Sequence, residues 1–104
     1  MEFLTVMTTA PNREEAERIA QLLIETRSAA CVQLIEGIKS FYRWKGEVES
    51  STEVLILIKT ERKAFGKVER VVKSVHSYEV PELIALPIVA GSKDYLEWVE
   101  EEVE

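Results

Sequence analysis

The sequence predicts an α+β fold, and three of its features carry that prediction. Two long runs rich in β-branched and aromatic residues meet at Lys45-Gly46, which predicts a β-hairpin over residues 29–60. An amphipathic helical pattern flanks the hairpin on each side, and a short apolar strand lies beyond each helix. With right-handed crossovers, the order β-α-β-β-α-β gives a four-stranded antiparallel sheet with both helices on one face, the ferredoxin-like arrangement. A short C-terminal helix follows.

The first strand and helix occupy residues 3–27. Residues 3–8 form a short apolar strand that is broken near Pro11. Asn12 and Glu15, three residues apart, predict a helix N-cap with a capping box. Residues 13–27 then form a helix, because apolar side chains recur there at the spacing of one helical face: Ala16, Ile19, Ala20 and Leu23.

The predicted hairpin is too long for one small chain to cover. Strands of about 15 residues reach about 50 Å, whereas a compact chain of this length has a radius of gyration near 13 Å. The outer end carries Phe41, Tyr42 and Trp44, which are too apolar to stand in water as a bare arm. The hairpin either bends back or is covered by another subunit, and we favour a subunit interface at these three residues.

A bulge near Gly37 divides this hairpin. A two-residue turn sets Trp44 opposite Glu47, and an unbroken register would then place Glu36 opposite Leu55, a poor pair in a buried sheet. Glycine inside a strand pattern is typical of a bulge, which restores a better register.

The second half repeats the first. A helix begins after Thr60, runs to about residue 75 and ends before Pro81, and residues 83–90 form a strand. Pro87 cannot donate to a strand ladder, so this strand lies at an edge or leaves the sheet there. The last helix begins at Gly91-Ser92. One domain therefore spans residues 1–104, and only the last helix or other subunits can cover the helix-free sheet face.

Composition limits the classes of partner. The formal net charge is −6, which argues against nucleic acid and anionic membranes. No run approaches the roughly 18 apolar residues of a membrane span, and the N-terminus lacks the basic region of a signal peptide, so we expect a cytoplasmic protein. Few amide side chains beside many charged ones favour thermal stability.

Candidate chemistry is sparse. His76 lies at a helix end beside Glu79 and Glu82; it is either a helix-terminus histidine or a metal ligand assisted by these carboxylates. Cys31, in an apolar run, is interpreted as a small buried hydrophobe, with thiolate chemistry as the alternative. The sequence has no glycine-rich phosphate loop and no paired-carboxylate signature, so we expect no enzymatic activity.

Several short segments match one family in order along nearly the whole chain. They are Thr8-Thr9-Ala10-Pro11, Ala29-Ala30-Cys31-Val32, Tyr42-Arg43-Trp44-Lys45-Gly46-Glu47, the run 55–60, His76-Ser77-Tyr78-Glu79-Val80-Pro81-Glu82 and Tyr95-Leu96-Glu97-Trp98. In these segments the chain resembles the CutA family of divalent-cation tolerance proteins.

The resemblance implies a homotrimer of ferredoxin-like subunits whose long hairpins pack against neighbours. It also implies tolerance to copper and other divalent cations, with Cu²⁺ as the first candidate cofactor and His76 and Cys31 as candidate ligands. Thr8 and Val75 stand where some relatives have a cysteine and a second histidine, so the trimer carries over more directly than the copper site.

Two classes of function follow. One is a trimeric protein that binds divalent cations, with Glu79 and Glu82 gathered around His76 at subunit clefts. The alternative is a PII-like trimeric regulatory module that binds a small ligand in those clefts.

Overall fold

A computed structural model describes residues 2–104. The elements in chain order are β1 (Phe3–Ala10), α1 (Arg13–Glu25), β2 (Cys31–Trp44), β3 (Glu47–Glu61), α2 (Phe65–Val75), β4 (Ile84–Pro87) and α3 (Lys93–Glu102). A short 3₁₀ turn, Arg62–Ala64, joins β3 to α2. The predicted β-α-β-β-α-β order with a C-terminal helix is confirmed.

The four strands form one antiparallel sheet in the order β2-β3-β1-β4. The short strand β4 is an edge strand, as Pro87 predicts. It is shorter than the predicted 83–90, although the Ile88 N–H still donates to the Phe3 carbonyl at 2.9 Å. The hairpin β2-β3 extends well beyond the end of β1 at Ala10, and the molecule is 44 Å long and 22 Å thick.

The hairpin turn and the bulge both lie where the sequence predicts them. Trp44 pairs with Glu47 across a turn in which Lys45 and Gly46 have φ values of 50° and 83°. On the inner side, the register shifts between Ile35, which pairs with Leu55, and Ile38, which pairs with Glu53. The bulge in β2 contains Gly37 at φ 80°, a backbone conformation that glycine adopts at little energetic cost.

The core lies between one sheet face and the two main helices. Alternate residues of β1 and β3 are buried against apolar residues of α1 and α2. The strands contribute Leu4, Val6, Val54, Ile56 and Ile58, and the helices contribute Ala16, Ile19, Leu23, Val68 and Val72. Because successive side chains of a strand point to opposite faces, the intervening residues point to the other face, which we call the open face. Ala20, predicted on the inner helix face, is only half-buried at the edge of this core.

Helix α3 covers one end of the sheet. Val99 and Val103 pack with Ala64 in a second apolar cluster, against which Phe3 and Ala30 also pack. Arg27 fixes the end of this segment, since its guanidinium donates to the Glu101 carbonyl at 3.0 Å. The rest of the open face extends beyond this helix.

The open face remains apolar and exposed in the single chain. Five large side chains there are at least 40% exposed: Ile35, Tyr42, Trp44, Ile84 and Leu86. Phe41 and Val48, which point to the other side of the outer hairpin, are 73% and 71% exposed. Exposed apolar surface of this extent is typical of a protein interface.

Candidate functional site

A cleft lies between the outer hairpin and the segment that follows α2. Its volume is about 780 Å³, within the range of small-molecule sites. One wall is the outer part of β2, with Phe41, Tyr42 and Trp44, and the other is the run from Ser77 to Glu82. The predicted interface residues and two predicted metal ligands, Glu79 and Glu82, therefore line the same cleft.

Glu53 and Tyr78 link the two walls of this cleft. Glu53 lies on β3 opposite Ile38, next to the bulge in β2, and is only 6% exposed. The Tyr78 hydroxyl donates to Glu53 Oε2 at 2.7 Å. Burial raises the pKa of Tyr78, and the hydrogen bond to the Glu53 carboxylate and its negative charge raise it further. Tyr78 thus stays neutral and donates to Glu53 at the cleft.

The lining is acidic. Glu53, Glu79 and Glu82 contribute carboxylates, and Arg43 is the basic residue among the described lining residues. Arg43 forms no ion pair with them in the described chain. Aromatic rings and carboxylates together suit a cationic group, because both attract positive charge.

His76 is a structural residue in the single chain. Its side chain is fully buried, Nδ1 accepts a hydrogen bond from the Tyr78 backbone N–H at 3.1 Å, and Nε2 lies 2.6 Å from the Thr9 carbonyl oxygen. This pattern assigns the proton to Nε2, which donates to the carbonyl. Both ring nitrogens are therefore engaged, and neither presents a free lone pair to a metal ion.

The carboxylate of Glu15 lies beside His76, whereas the sequence predicts that Glu15 belongs to a capping box. Asn12 caps α1 as predicted, since its side chain accepts from the Glu15 N–H at 2.9 Å. The Glu15 carboxylate does not complete a capping box. It accepts instead from the Ser77 N–H at 2.9 Å and lies 3.4 Å from His76 Nδ1. Sequence spacing could not reveal this contact, which joins positions 62 residues apart.

The four candidate metal ligands are not gathered within one chain. Cys31 pairs with Lys59, whereas His76 contacts Thr9, opposite Leu55, so about four residues of strand separate their levels in the sheet. In residues 2–104 no three His, Cys, Asp or Glu side chains form a cluster suited to a metal ion. These residues do not fit a metal centre within one chain, and a site between subunits stays a prediction.

Cys31 lies under α3 rather than in the cleft. It is half-buried and carries a free thiol. Burial raises the pKa of Tyr95 on α3, and the neighbouring Cys31 thiol adds to this rise. The thiol thus faces a neutral phenol at the end of the open face.

Comparison with known proteins agrees with this architecture. Residues 4–102 match the family described as CutA1 divalent ion tolerance protein. The chain belongs to the CutA family. The divalent-cation tolerance protein CutA of Thermus thermophilus is 48% identical over 92% of this chain and 93% of its own length. The family suggested by the sequence motifs is therefore confirmed.

Solved CutA structures share the fold throughout. The Thermus thermophilus protein superimposes with a TM-score of 0.96 at 45% identity, over 98% of this chain and 99% of that one. CutA1 of Oryza sativa superimposes with a TM-score of 0.97 at 39% identity, over 100% of this chain and 95% of that one. The predicted α+β fold is confirmed, and the family name supports a role in divalent-cation tolerance.

Membership of the CutA family does not fix a compartment. A structure from Archaeoglobus fulgidus is described as a periplasmic divalent cation tolerance protein, and an Arabidopsis thaliana relative is named a chloroplastic protein. Among the described residues, no helix is both long enough and apolar enough to cross a membrane. The cytoplasmic location stays a prediction.

Proposed function

We propose that this CutA protein acts as a homotrimer that binds divalent cations at the clefts between its subunits, without catalysis, in the cytoplasm. The observation that carries the proposal is the apolar open face, where five large side chains are exposed, whereas the opposite face packs against α1 and α2 over β1 and the inner part of the hairpin. A surface of this kind is covered by another subunit in a stable protein. Three copies arranged around a rotation axis cover it without leaving an open end.

Cation binding is proposed for the cleft rather than for the buried histidine. Glu79 and Glu82 are exposed on the cleft wall and retain free carboxylate oxygens, whereas His76 would have to break a hydrogen bond to coordinate an ion. Neighbouring subunits would supply the remaining ligands, since one chain lacks a cluster in its described part. Copper(II) is the first candidate, because it leads the affinity order for nitrogen and oxygen ligands.

The test is a copper(II) titration at neutral pH with a competing chelator to set the free-ion level. We expect Glu79→Gln combined with Glu82→Gln to weaken binding at least tenfold, about 1.4 kcal/mol. His76→Ala and Cys31→Ser separate the alternative ligand sets, and Glu25→Gln, an exposed carboxylate on α1 outside the cleft lining, is the matched control. Binding that none of the cleft variants alters would contradict the cleft site.

The PII-like alternative has one observation in its favour, the cleft of about 780 Å³, which is far larger than a bare metal ion needs. An ATP titration of the same preparation tests it. The acidic lining disfavours a nucleotide. Saturable ATP binding that Trp44→Ala abolishes would favour the regulatory module over the cation-binding protein.

A further inference from the structure

Four charged side chains on the open face of β3 lack a charged partner in the single chain: Glu47 and Glu49 near the hairpin turn, and Glu53 and Lys59 on the inner part of the strand. Glu53 and Lys59 are separated by an even number of residues, so both point to the face opposite α1 and α2. Neither takes part in an ion pair within residues 2–104. If a neighbouring subunit covers this face, both charges lose their contact with water.

Glu53 is the most buried of the carboxylates on this face that have no ion pair. It is more than nine-tenths buried at the base of the cleft, and its one hydrogen bond comes from the neutral Tyr78 hydroxyl, at Oε2. Oε1 accepts no hydrogen bond from the described residues. A buried carboxylate is stable when a cation or several donors satisfy it, and one phenol does not suffice.

Lys59 is the matching cation. Its ammonium group donates to Gln33 Oε1 at 2.7 Å, an uncharged acceptor on the neighbouring strand. Two of the three ammonium donors thus have no partner assigned within the described residues. The lysine stem lies along the open face, so its head can extend toward a molecule that covers this face.

The two residues cannot meet within one chain. Six positions separate them along β3, which corresponds to about 20 Å of extended strand. In a rotationally symmetric trimer, each interface joins one patch of a subunit to a different patch of the next. Lys59 and Glu53 of the same chain can therefore each contribute to a separate interface.

We propose that the partner subunit's Lys59 enters the cleft and pairs with Glu53, so that the cleft is complete only in the assembly. This inference rests on the proposed trimer and adds to it the residue that closes the site. The ammonium group would donate to Glu53 Oε1, the oxygen that Tyr78 leaves free. One pair of this kind at each of three interfaces gives a partner to all six copies of Glu53 and Lys59.

Zero-length cross-linking with a carbodiimide tests this pairing on the intact protein. The reagent joins a lysine amine to a carboxylate in direct contact, forming an amide with loss of one water. Because about 20 Å separates the two residues within one chain, a Lys59–Glu53 amide identified by mass spectrometry has to join two chains. We expect this cross-link, with dimer and trimer bands on a denaturing gel.

Matched variants make the result specific. Lys59→Arg keeps the charge and the ion pair but cannot form this amide, and Glu53→Gln removes the reacting carboxylate, so each is expected to abolish the cross-link. Lys39→Arg, on the opposite face of the outer hairpin from Glu53, is expected to leave the cross-link unchanged. Sedimentation of the same samples separates the two proposals. A trimer without the Lys59–Glu53 amide overturns the pairing alone, whereas a monomer overturns the trimer as well.

Charge neutralisation gives an independent readout. Lys59→Gln and Glu53→Gln each leave one buried charge without its partner, so each is expected to raise the trimer dissociation constant at least tenfold, about 1.4 kcal/mol. The double variant removes both charges and should recover most of that loss. Additive losses in the double variant would show that the two side chains do not interact.

Discussion

The Tyr78 hydroxyl and the Glu53 carboxylate, 2.7 Å apart, connect the segment after α2 to the hairpin. The contact spans 25 residues of sequence and fixes one wall of the cleft against the other. The raised pKa of Tyr78 keeps the phenol protonated, and a neutral phenol can donate to the carboxylate whereas a phenolate cannot.

Stability should fall in alkaline solution partly because of Tyr78. Its pKa is raised in the folded protein, first by burial and then by Glu53, so the folded state holds this proton longer than the unfolded state. The contribution is complete below pH 10.0, the usual pKa, and is lost as the pH rises above it. Denaturant melts should show a steeper loss above that pH for the native protein than for Tyr78→Phe. Equal slopes would contradict this.

At neutral pH the same substitution has a direct cost. Tyr78→Phe leaves Glu53 Oε2 without its donor in a buried position, which is expected to cost about 1–3 kcal/mol of unfolding free energy. Glu53→Gln is the companion variant, since the amide oxygen still accepts from Tyr78 while the charge is gone. Chemical denaturation measures both, and a Tyr78→Phe protein as stable as the native one would rule out the buried hydrogen bond.

Glu15→Ala should loosen the segment that carries the cleft wall. The variant removes the acceptor of the Ser77 N–H and Oγ and the carboxylate beside His76, for an expected loss of about 1–2 kcal/mol. Glu14→Ala is the control, because Glu14 is exposed in the same first turn of α1. Hydrogen exchange should show faster exchange at Ser77 in the first variant only.

Two glycines should respond to alanine in opposite directions. Gly37→Ala forces a side chain into φ 80° at the bulge, with nothing within 4 Å to clash, so the expected cost of about 1 kcal/mol is purely conformational. Gly66→Ala lies in α2, where the new Cβ makes an ordinary contact with Arg70, and should stabilise by about 0.5–1 kcal/mol. A destabilised Gly66→Ala protein would contradict the helical environment of that position.

The bulge shows how far sequence reasoning reaches into the fold. The mismatch of Glu36 with Leu55 and the glycine next to it were enough to place the extra residue. A shift of one residue moves every later side chain to the opposite face of the sheet. That reversal brings Tyr42 and Trp44 to the same face as Glu53. Periodicity and turn chemistry are local signals, so the elements, the turn and the edge strand were all predictable.

The site was less accessible to sequence reasoning, because its contacts are distant in sequence. Glu15 carries a capping signature, and nothing in its spacing indicates that the carboxylate turns to Ser77 and His76. Potential metal ligands lie close to His76 in the sequence, but its hydrogen bonds to Thr9 and Tyr78 engage both ring nitrogens. The sequence pattern does not distinguish Glu53 from the other polar residues of its strand, and only the fold shows that it is buried at the cleft.

Thermal stability should be high. The chain carries 32 Asp, Glu, Lys and Arg side chains in 104 residues, and assembly couples folding to subunit concentration. Calorimetry is expected to give a Tm above the mesophile range of about 45–65 °C, rising with protein concentration. A Tm inside that range and independent of concentration would contradict both reasons.

Sedimentation velocity at micromolar concentration tests the trimer most directly. The predicted species has three times the 11.9 kDa mass of the chain, because the open sheet face and the outer hairpin are covered by neighbours. Trp44→Asp places a charge in that contact and should shift the distribution to smaller species, whereas Val89→Asp, at a position 94% exposed outside the sheet, should not. A native protein that sediments as a folded monomer would contradict the trimer and the subunit clefts that depend on it.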